Sequence, residues 1–340
     1  MSQKIIDLFA AGTPQAICAG VLFLIGLVLI VKGGDLFVDA ASWMAEASGI
    51  PKFIVGATIV SVATTLPEMI VSFLAAAGAQ NAANVEAANG VSMAIGNAIG
   101  SVTANTGLIM AISIVFMPIA IKRSQIAAKG TLMLVAIAAL FLLCLPGELS
   151  LVGSFAVLAL FVLFIIENLV SASRNKETAD RPEVTGKILV KNIVLFLLGA
   201  GMLALGSNLL VDNGEFLAVD VFGVDVRIVA ITLVAIGTSL PELVTAVTSL
   251  VKKQSTMSVG NIIGANIIDM TIILPVCALI SGGSLPVERT TRLIDMPICF
   301  LEAVIALVPT FIAKKFRRWQ GILMLAIYIA YIVYSVIVTA

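Results

Sequence analysis

The sequence predicts an all-α integral membrane protein with ten transmembrane helices, arranged as two inverted five-helix repeats. Three observations support this fold class. Hydrophobic residues make up 60% of the 340 residues and charged residues only 12%, with a mean hydropathy of +1.13, so too few polar groups remain to cover a soluble surface. The apolar runs have the length that a bilayer requires. Several short motifs occur twice, in corresponding places of the two halves of the chain.

Each predicted span is an apolar run of helical length. A hydrocarbon core of about 30 Å requires roughly 20 apolar residues in a helix. By this criterion the spans lie at 17–45, 52–77, 91–117, 127–145, 150–171, 188–212, 226–251, 257–281, 294–313 and 318–338. We expect the first to be a retained helix, because it continues through Lys32 and Asp35 without a small-residue cleavage signature.

The basic residues predict the orientation of these spans. Most of the 20 Lys and Arg residues fall in the odd-numbered connections, which the positive-inside rule assigns to the cytoplasm. We therefore expect a multi-pass protein of the cytoplasmic (inner) membrane with both termini extracytoplasmic. The opposite loops are acidic, which fits either a weak cation-gathering field or loops that simply cross without penalty.

A polar segment at 172–187 divides the chain into a first repeat, 1–171, and a second repeat, 188–340, and we expect it to be a cytoplasmic linker. Residues 33–39 (Gly-Gly-Asp-Leu-Phe-Val-Asp) match residues 206–212 (Gly-Ser-Asn-Leu-Leu-Val-Asp). Because each half has an odd number of spans, the second half must enter the membrane from the other side. Inverted repeats with interrupted helices are typical of secondary transporters whose site lies at the repeat interface.

The second span of each half carries a Pro-Glu motif, Thr-Thr-Leu-Pro-Glu at 64–68 and Thr-Ser-Leu-Pro-Glu at 238–242. Each motif places a carboxylate in an apolar run, at a cost of about 2.5–3.5 kcal/mol on insertion scales. A proline also frees the carbonyl four residues earlier, here those of Ala63 and Gly237. A structural kink would explain one such motif, but two copies with a buried Glu favour a functional site.

The third span of each half contains a Gly-Asn-x-x-Gly motif, at 96–100 and 260–264, whose glycines are spaced for close helix packing. The asparagines of these motifs also fit a role as interhelical hydrogen-bonding groups. In the first copy the motif is followed by the polar residues Ser101 and Asn105. The corresponding residues of the second copy are Ala265 and Asp269.

Together these motifs supply carboxylates, an amide, hydroxyls and carbonyls, without sulfur or imidazole, and the chain has no His. An oxygen-only set favours hard cations. Ca²⁺ accepts six to eight oxygens in flexible geometry, whereas Mg²⁺ demands a strict octahedron, and Na⁺ also suits hydroxyls and carbonyls. Such a site predicts antiport, since one Ca²⁺ or several monovalent ions can balance the same negative charge.

The motifs resemble the alpha repeats of the sodium/calcium exchanger family within the cation/calcium antiporters, over about 52–117 and 226–281. The family motifs are a Thr-Ser-x-Pro-Glu turn and a Gly-Asn-x-x-Gly-Ser-Asn helix that ends in Asn or Asp. The resemblance implies a Ca²⁺ site formed by Glu68, Glu242, Asn105 and Asp269. It implies flanking Na⁺ sites that use Thr64, Thr65, Ser101 and the Ser61 carbonyl, and Thr238, Ser239 and the Ala235 carbonyl. It also implies alternating access, with the first and sixth helices sliding against the other eight.

Three residues depart from the family pattern: Thr65 replaces Ser, Val102 replaces Asn, and Ala265 replaces Ser. Because Ala265 removes a hydroxyl from one implied Na⁺ site, a H⁺/Ca²⁺ antiporter and a Mg²⁺ exchanger on the same scaffold stay open beside Na⁺/Ca²⁺ exchange. The lack of His argues against a Ser–His protease, and a channel would not require buried carboxylates in both repeats. We expect a transporter rather than an enzyme. Its partners would be the lipid bilayer and the transported Ca²⁺ and Na⁺ or H⁺, with no cofactor, no nucleic acid and no obligate protein partner.

Overall fold

The computed structural model describes residues 13–80, 84–117, 123–174, 182, 184–223 and 237–339. The elements of the first half are α1 (Thr13–Ser48), α2 (Lys52–Val55), π1 (Gly56–Val60), α3 (Ser61–Gln80), α4 (Asn84–Ala104), π2 (Asn105–Met110), α5 (Ala111–Phe116), α6 (Arg123–Cys144), β1 (Glu148–Ser150) and α7 (Leu151–Arg174). Those of the second half are α8 (Gly186–Phe216), π3 (Leu217–Val221), α9 (Leu240–Val251), α10 (Ser255–Ile268), π4 (Asp269–Ile273), α11 (Leu274–Ile280), β2 (Ser284–Pro286), π5 (Thr291–Asp295), α12 (Met296–Ala313) and α13 (Arg318–Thr339). Here π denotes a segment of π-helix.

Among the described residues, eight helical stretches are long and apolar enough to cross a bilayer. This confirms a helical membrane protein. The predicted span 226–251 is described only from residue 237 onward and contains the shorter apolar helix α9, with a break at Thr238 and Ser239. The count of ten spans and the inversion of the whole repeat stay predictions.

The helices with the duplicated motifs lie at the centre of the molecule. In the span Ser255–Ile280, 83% of the most apolar window is buried, against 17% in Gly186–Val221. The apolar surface of Gly186–Val221 and of α1 therefore faces outward, where lipid would cover it. The polar groups of the central helices, by contrast, are enclosed by protein.

Helices α1 and α8 pack against each other in antiparallel orientation. A Cβ on Gly26 would meet the Gly206 carbonyl at 2.9 Å, and one on Gly33 would meet the Gly199 carbonyl at 3.0 Å, so these glycines permit backbone contact. The rings of Phe37 and Phe196 stack with centroids 4.5 Å apart. Opposite directions for these two helices are what an inverted repeat requires of its first members.

A small antiparallel ladder departs from a purely helical fold. Strand β1 pairs with β2 in the register Glu148↔Pro286 and Ser150↔Ser284. The ladder joins the connection after α6 to the connection after α11. Both connections are even-numbered, so the ladder agrees with the charge pattern in placing them on the same face.

Lys129 is one of the basic residues that predict the cytoplasmic face, yet its side chain is fully buried on α6. Its ammonium group donates to the Glu167 carboxylate and to the Asn168 amide oxygen on α7. The ring of Phe164 lies 5.8 Å away from the ammonium group. This residue therefore joins two helices in the protein interior.

Candidate functional site

Glu68 and Glu242 lie at the centre of the helix bundle. Glu68 is 1% exposed and Glu242 is fully buried. Neither carboxylate has a hydrogen-bond partner among the described residues. Helix α3, which carries Glu68, packs against α9 and π4, which carry Glu242 and Asp269. A buried carboxylate without a partner is costly, so this group of residues requires a bound cation or protons.

The two Pro-Glu motifs differ in local structure. Pro67 lies inside α3, whereas Pro241 lies in the first turn of α9, which begins directly after the break at Ser239. The Gly237 carbonyl, which Pro241 frees, accepts a 2.7 Å hydrogen bond from the Ser207 hydroxyl on α8. The broken helix is thus tied to one of the two antiparallel outer helices.

Asparagines of the Gly-Asn-x-x-Gly motifs hold α3 in place. The Asn97 amide donates to the Glu68 carbonyl at 3.3 Å and to the Ser72 hydroxyl at 2.9 Å. From the other half of the chain, Asn261 accepts a 3.2 Å hydrogen bond from the Thr64 hydroxyl. The interhelical role considered for these asparagines is therefore observed in both motifs.

Asn105 and Asp269 occupy equivalent positions, each at the first residue of a π-helical segment. Both side chains are 1% exposed. The Asn105 amide and the Asp269 Oδ1 atom lack hydrogen-bond partners among the described residues. Because the extra residue of a π-bulge interrupts the regular ladder, such segments are frequent at functional sites.

The hydroxyl groups of the implied Na⁺ sites are also mostly enclosed. Thr65, Ser101 and Ser239 are buried, and their hydroxyls have no partner among the described residues. The Ser61 carbonyl accepts a long 3.4 Å hydrogen bond from Thr64. Thr238 is half-buried, and Ala235 lies outside the described residues.

Close backbone contact brings the two halves together at this site. A Cβ on Gly264 would meet the Ser61 Oγ atom at 2.5 Å and the Ala57 carbonyl at 2.6 Å. A Cβ on Gly260 would meet the Phe53 carbonyl at 2.2 Å. The second Gly-Asn-x-x-Gly motif therefore has the packing role that its spacing predicts. Gly96 and Gly100 show no such contact with the described residues.

Two polar residues near the site were missed by the sequence reasoning. Thr245 and Ser249 on α9 are fully buried, and their hydroxyls have no partner in the described part of the chain. They follow Glu242 at spacings of three and seven residues, which place them on the same helix face. This periodicity was available as a signal in the sequence.

The described residues contain no group of three or more His, Cys, Asp or Glu side chains already arranged to hold a metal ion. Any cation bound here must therefore take part of its ligands from amides, hydroxyls and carbonyls. These are oxygen donors, which suit Ca²⁺ and Na⁺ better than soft metals.

The family model described as sodium/calcium exchanger protein matches residues 19–170 and 191–337. The chain belongs to this family. Members of the sodium/calcium exchanger family are transporters, so the expectation of a transporter rather than an enzyme is confirmed.

Individual relatives agree with the family match along most of the chain. The chain is 31% identical to the inner membrane protein YrbG of Escherichia coli, over 84% of this chain and 87% of YrbG. It is 27% identical to the sodium/calcium exchanger MaX1 of Methanosarcina acetivorans, over 92% of this chain and 97% of MaX1. Its fold resembles the solved structure of the sodium-calcium exchanger NCX_Mj soaked with Na⁺ and Sr²⁺, with a TM-score of 0.79 at 29% identity, over 94% of this chain and 99% of NCX_Mj.

Proposed function

We propose that this protein is a secondary active antiporter that exchanges Ca²⁺ for Na⁺ across the cytoplasmic membrane by alternating access. The single observation that carries the proposal is the pair of buried carboxylates, Glu68 and Glu242. Each comes from one copy of a duplicated motif, and neither has a protein partner among the described residues. Two adjacent negative charges of this kind suit one divalent cation or an equivalent number of monovalent cations.

In this proposal Ca²⁺ binds between Glu68, Glu242, Asn105 and Asp269. The orphaned oxygens of these side chains supply the donors that a Ca²⁺ ion takes. Na⁺ binds on either side, using the hydroxyls of Thr64, Thr65 and Ser101 with the Ser61 carbonyl, and those of Thr238 and Ser239 with the Ala235 carbonyl. Ca²⁺ and Na⁺ compete because either can balance the negative charge of the same buried carboxylates.

Movement in this proposal comes from α1 and α8, which slide against the remaining helices. A smaller share of these two helices is buried than of the central helices. Hydrogen bonding of Ser207 to the Gly237 carbonyl gives α8 a direct contact with the broken helix.

The proposed orientation follows the charge pattern. Both termini are extracytoplasmic, and the linker 172–187 between the repeats 1–171 and 188–340 is cytoplasmic.

Two related functions use the same scaffold. The Ala265 side chain is fully buried where the family has Ser, so one Na⁺ site has lost a hydroxyl. This favours H⁺ as the alternative counter-ion, because protons need no coordination shell. Exchange of Mg²⁺ is less well matched, since carboxyl, amide and hydroxyl groups on several helices do not impose a strict octahedron.

The site assignment is tested by neutralising each glutamate in reconstituted vesicles. Glu68→Gln and Glu242→Gln preserve side-chain shape and remove the charge. We expect each to abolish Na⁺-driven uptake of radiolabelled Ca²⁺ while the protein remains monodisperse. Glu148→Gln is the matched control, since Glu148 is exposed on β1, and it should transport like the unaltered protein. Uptake at the unaltered rate in either site variant would overturn the assignment.

A further inference from the structure

A further buried carboxyl group lies outside the Ca²⁺ and Na⁺ residues. Glu302 is on α12 within an apolar span and is fully buried. Neither of its carboxylate oxygens has a hydrogen-bond partner among the described residues. It has no duplicate in the other half, so the repeat pattern does not single it out.

The Glu302 carboxyl group lies directly against Gly107 in π2. A Cβ on Gly107 would meet Glu302 Oε1 at 2.3 Å and Oε2 at 2.6 Å. The carboxyl group therefore fills the space that any other residue at position 107 would require. Gly107 follows Asn105 by two residues, so Glu302 packs against the segment that positions a proposed Ca²⁺ ligand.

The groups around Glu302 supply no positive charge. Helix α12 packs against α4, α6, α13, π2 and π5. The nearby ionisable groups include Cys299, one turn earlier on α12, and Tyr328 on α13, and neither side chain carries a positive charge.

The other charged side chains described on these elements have partners of their own or are exposed. Arg292 in π5 donates to the Leu145 carbonyl at 2.8 Å, and Arg318 at the start of α13 is exposed. Asp295 in π5 accepts a 3.1 Å hydrogen bond from the Tyr331 hydroxyl of α13. Lys129 on α6 is held by Glu167 and Asn168. Helix α4 contributes Thr103, whose hydroxyl donates to the Ile99 carbonyl, and π2 contributes Gly107. Among the described residues, no Lys or Arg side chain forms an ion pair with Glu302.

We propose that Glu302 is a proton-binding site next to the central ion site, and that it holds its proton in the conformation described. A buried carboxyl group without a partner is neutralised or coordinates a metal. A Na⁺ or Ca²⁺ ion requires several oxygen ligands, whereas no hydroxyl or amide group of the described residues hydrogen-bonds to the Glu302 carboxylate. A proton requires only the carboxyl group itself.

A role for this proton in transport rests on the proposed function, whereas the protonation itself does not. Because Glu302 packs against π2, a change in its charge would alter the position of Asn105. The proton would leave when movement of the helices admits water. Transport would then depend on pH through a group that is not a Ca²⁺ ligand.

Infrared spectroscopy of the purified protein tests the protonation without requiring transport. We expect a carboxylic-acid carbonyl band whose intensity is lower in Glu302→Gln than in the unaltered protein and unchanged in the control Glu148→Gln. We also expect dicyclohexylcarbodiimide, which modifies protonated carboxyl groups in apolar surroundings, to label Glu302 in the unaltered protein, as mapped by mass spectrometry. This second measurement does not depend on the folding of a variant. Identical band intensities in the unaltered protein and Glu302→Gln, or no label on Glu302 when other carboxyl groups are labelled, would overturn the proposal.

Transport measurements separate this proposal from the proposed function. Glu302→Gln mimics the neutral carboxyl group, so we expect it to sustain Ca²⁺ uptake with a weaker dependence on pH than the unaltered protein. Absence of Ca²⁺ uptake in the unaltered protein, together with the infrared band of Glu302, would refute the antiport and leave the proton site intact. The same pH profile in both proteins would refute the transport role of the proton.

Discussion

Gly264→Ala is the substitution whose effect the structure defines most closely. The new Cβ atom would lie 2.5 Å from the Ser61 Oγ atom, 2.6 Å from the Ala57 carbonyl and 2.8 Å from the Ala57 Cα atom. The Ser61 hydroxyl can rotate away, but the Ala57 backbone cannot. The helix that carries Gly264 must therefore move away from π1.

The free-energy change follows from two opposing terms. Overpacking of a closely packed contact costs about 1–3 kcal/mol. Replacing a helical Gly with Ala returns about 1 kcal/mol through helix propensity. We expect a net loss of up to about 2 kcal/mol in the free energy of unfolding relative to the unaltered protein, and a loss of about 1–3 kcal/mol relative to a Gly→Ala control that gains helix propensity without overpacking. The displacement would also lengthen the 3.2 Å hydrogen bond between Thr64 and Asn261, which lies one turn away.

Chemical unfolding in detergent, followed by tryptophan fluorescence, measures the stability term. Gly201→Ala is the matched control, because a Cβ on Gly201 of α8 meets nothing within 4 Å among the described residues. That control should be as stable as the unaltered protein or more stable. Equal stability of Gly264→Ala and Gly201→Ala would show that the contact between α10 and π1 is not as close as described, and would refute the reasoning.

Three further predictions concern other parts of the molecule. Ala265→Ser should lower the Na⁺ concentration for half-maximal Ca²⁺ uptake by about 3- to 10-fold, which corresponds to the free energy contributed by one hydroxyl ligand. An unchanged Na⁺ activation curve would show that position 265 is not part of the Na⁺ site. Lys252 Nζ lies 2.7 Å from Asp39 Oδ1, and this ion pair fixes α1 against the end of α9 in one conformation. Lys252→Gln should therefore change the relative affinity for Ca²⁺ on the two sides of the membrane. We expect the ratio of the cytoplasmic to the extracytoplasmic half-saturation constant to shift by a few-fold. An identical ratio would exclude that role. Lys129→Met should reduce the free energy of unfolding by about 3–5 kcal/mol, because it removes the cationic partner of the Glu167 carboxylate, which keeps the hydrogen bond from the Ser171 hydroxyl. Adding Glu167→Gln should recover most of the loss, and no recovery would show that the ion pair is not the cause.

The sequence predicts the features that depend on local pattern. The length of the apolar runs and the distribution of charged residues predict the helical membrane fold. The duplicated motifs point to Glu68, Glu242, Asn105 and Asp269 as one group. The structure brings the elements that carry them into contact, and it buries all four side chains.

Features that depend on contacts distant in sequence could not be predicted in this way. No residue type signals the π-helical start at Asn105 and Asp269. Glu302 and Gly107 lie far apart in the chain and become related only when α12 packs on π2. The short ladder between β1 and β2 has the same origin, since two three-residue segments carry too little periodicity to be recognised.

The most direct test of Na⁺/Ca²⁺ exchange compares two driving forces in the same vesicles. Purified protein is reconstituted in liposomes, and uptake of radiolabelled Ca²⁺ is measured under an imposed Na⁺ gradient and, separately, under an imposed pH gradient, with Glu68→Gln as the inactive control. Na⁺-driven uptake that the control lacks is the predicted result. Uptake that responds only to the pH gradient would contradict Na⁺ coupling and favour H⁺/Ca²⁺ antiport, and uptake that the control retains would contradict the assignment of Glu68 to the ion site.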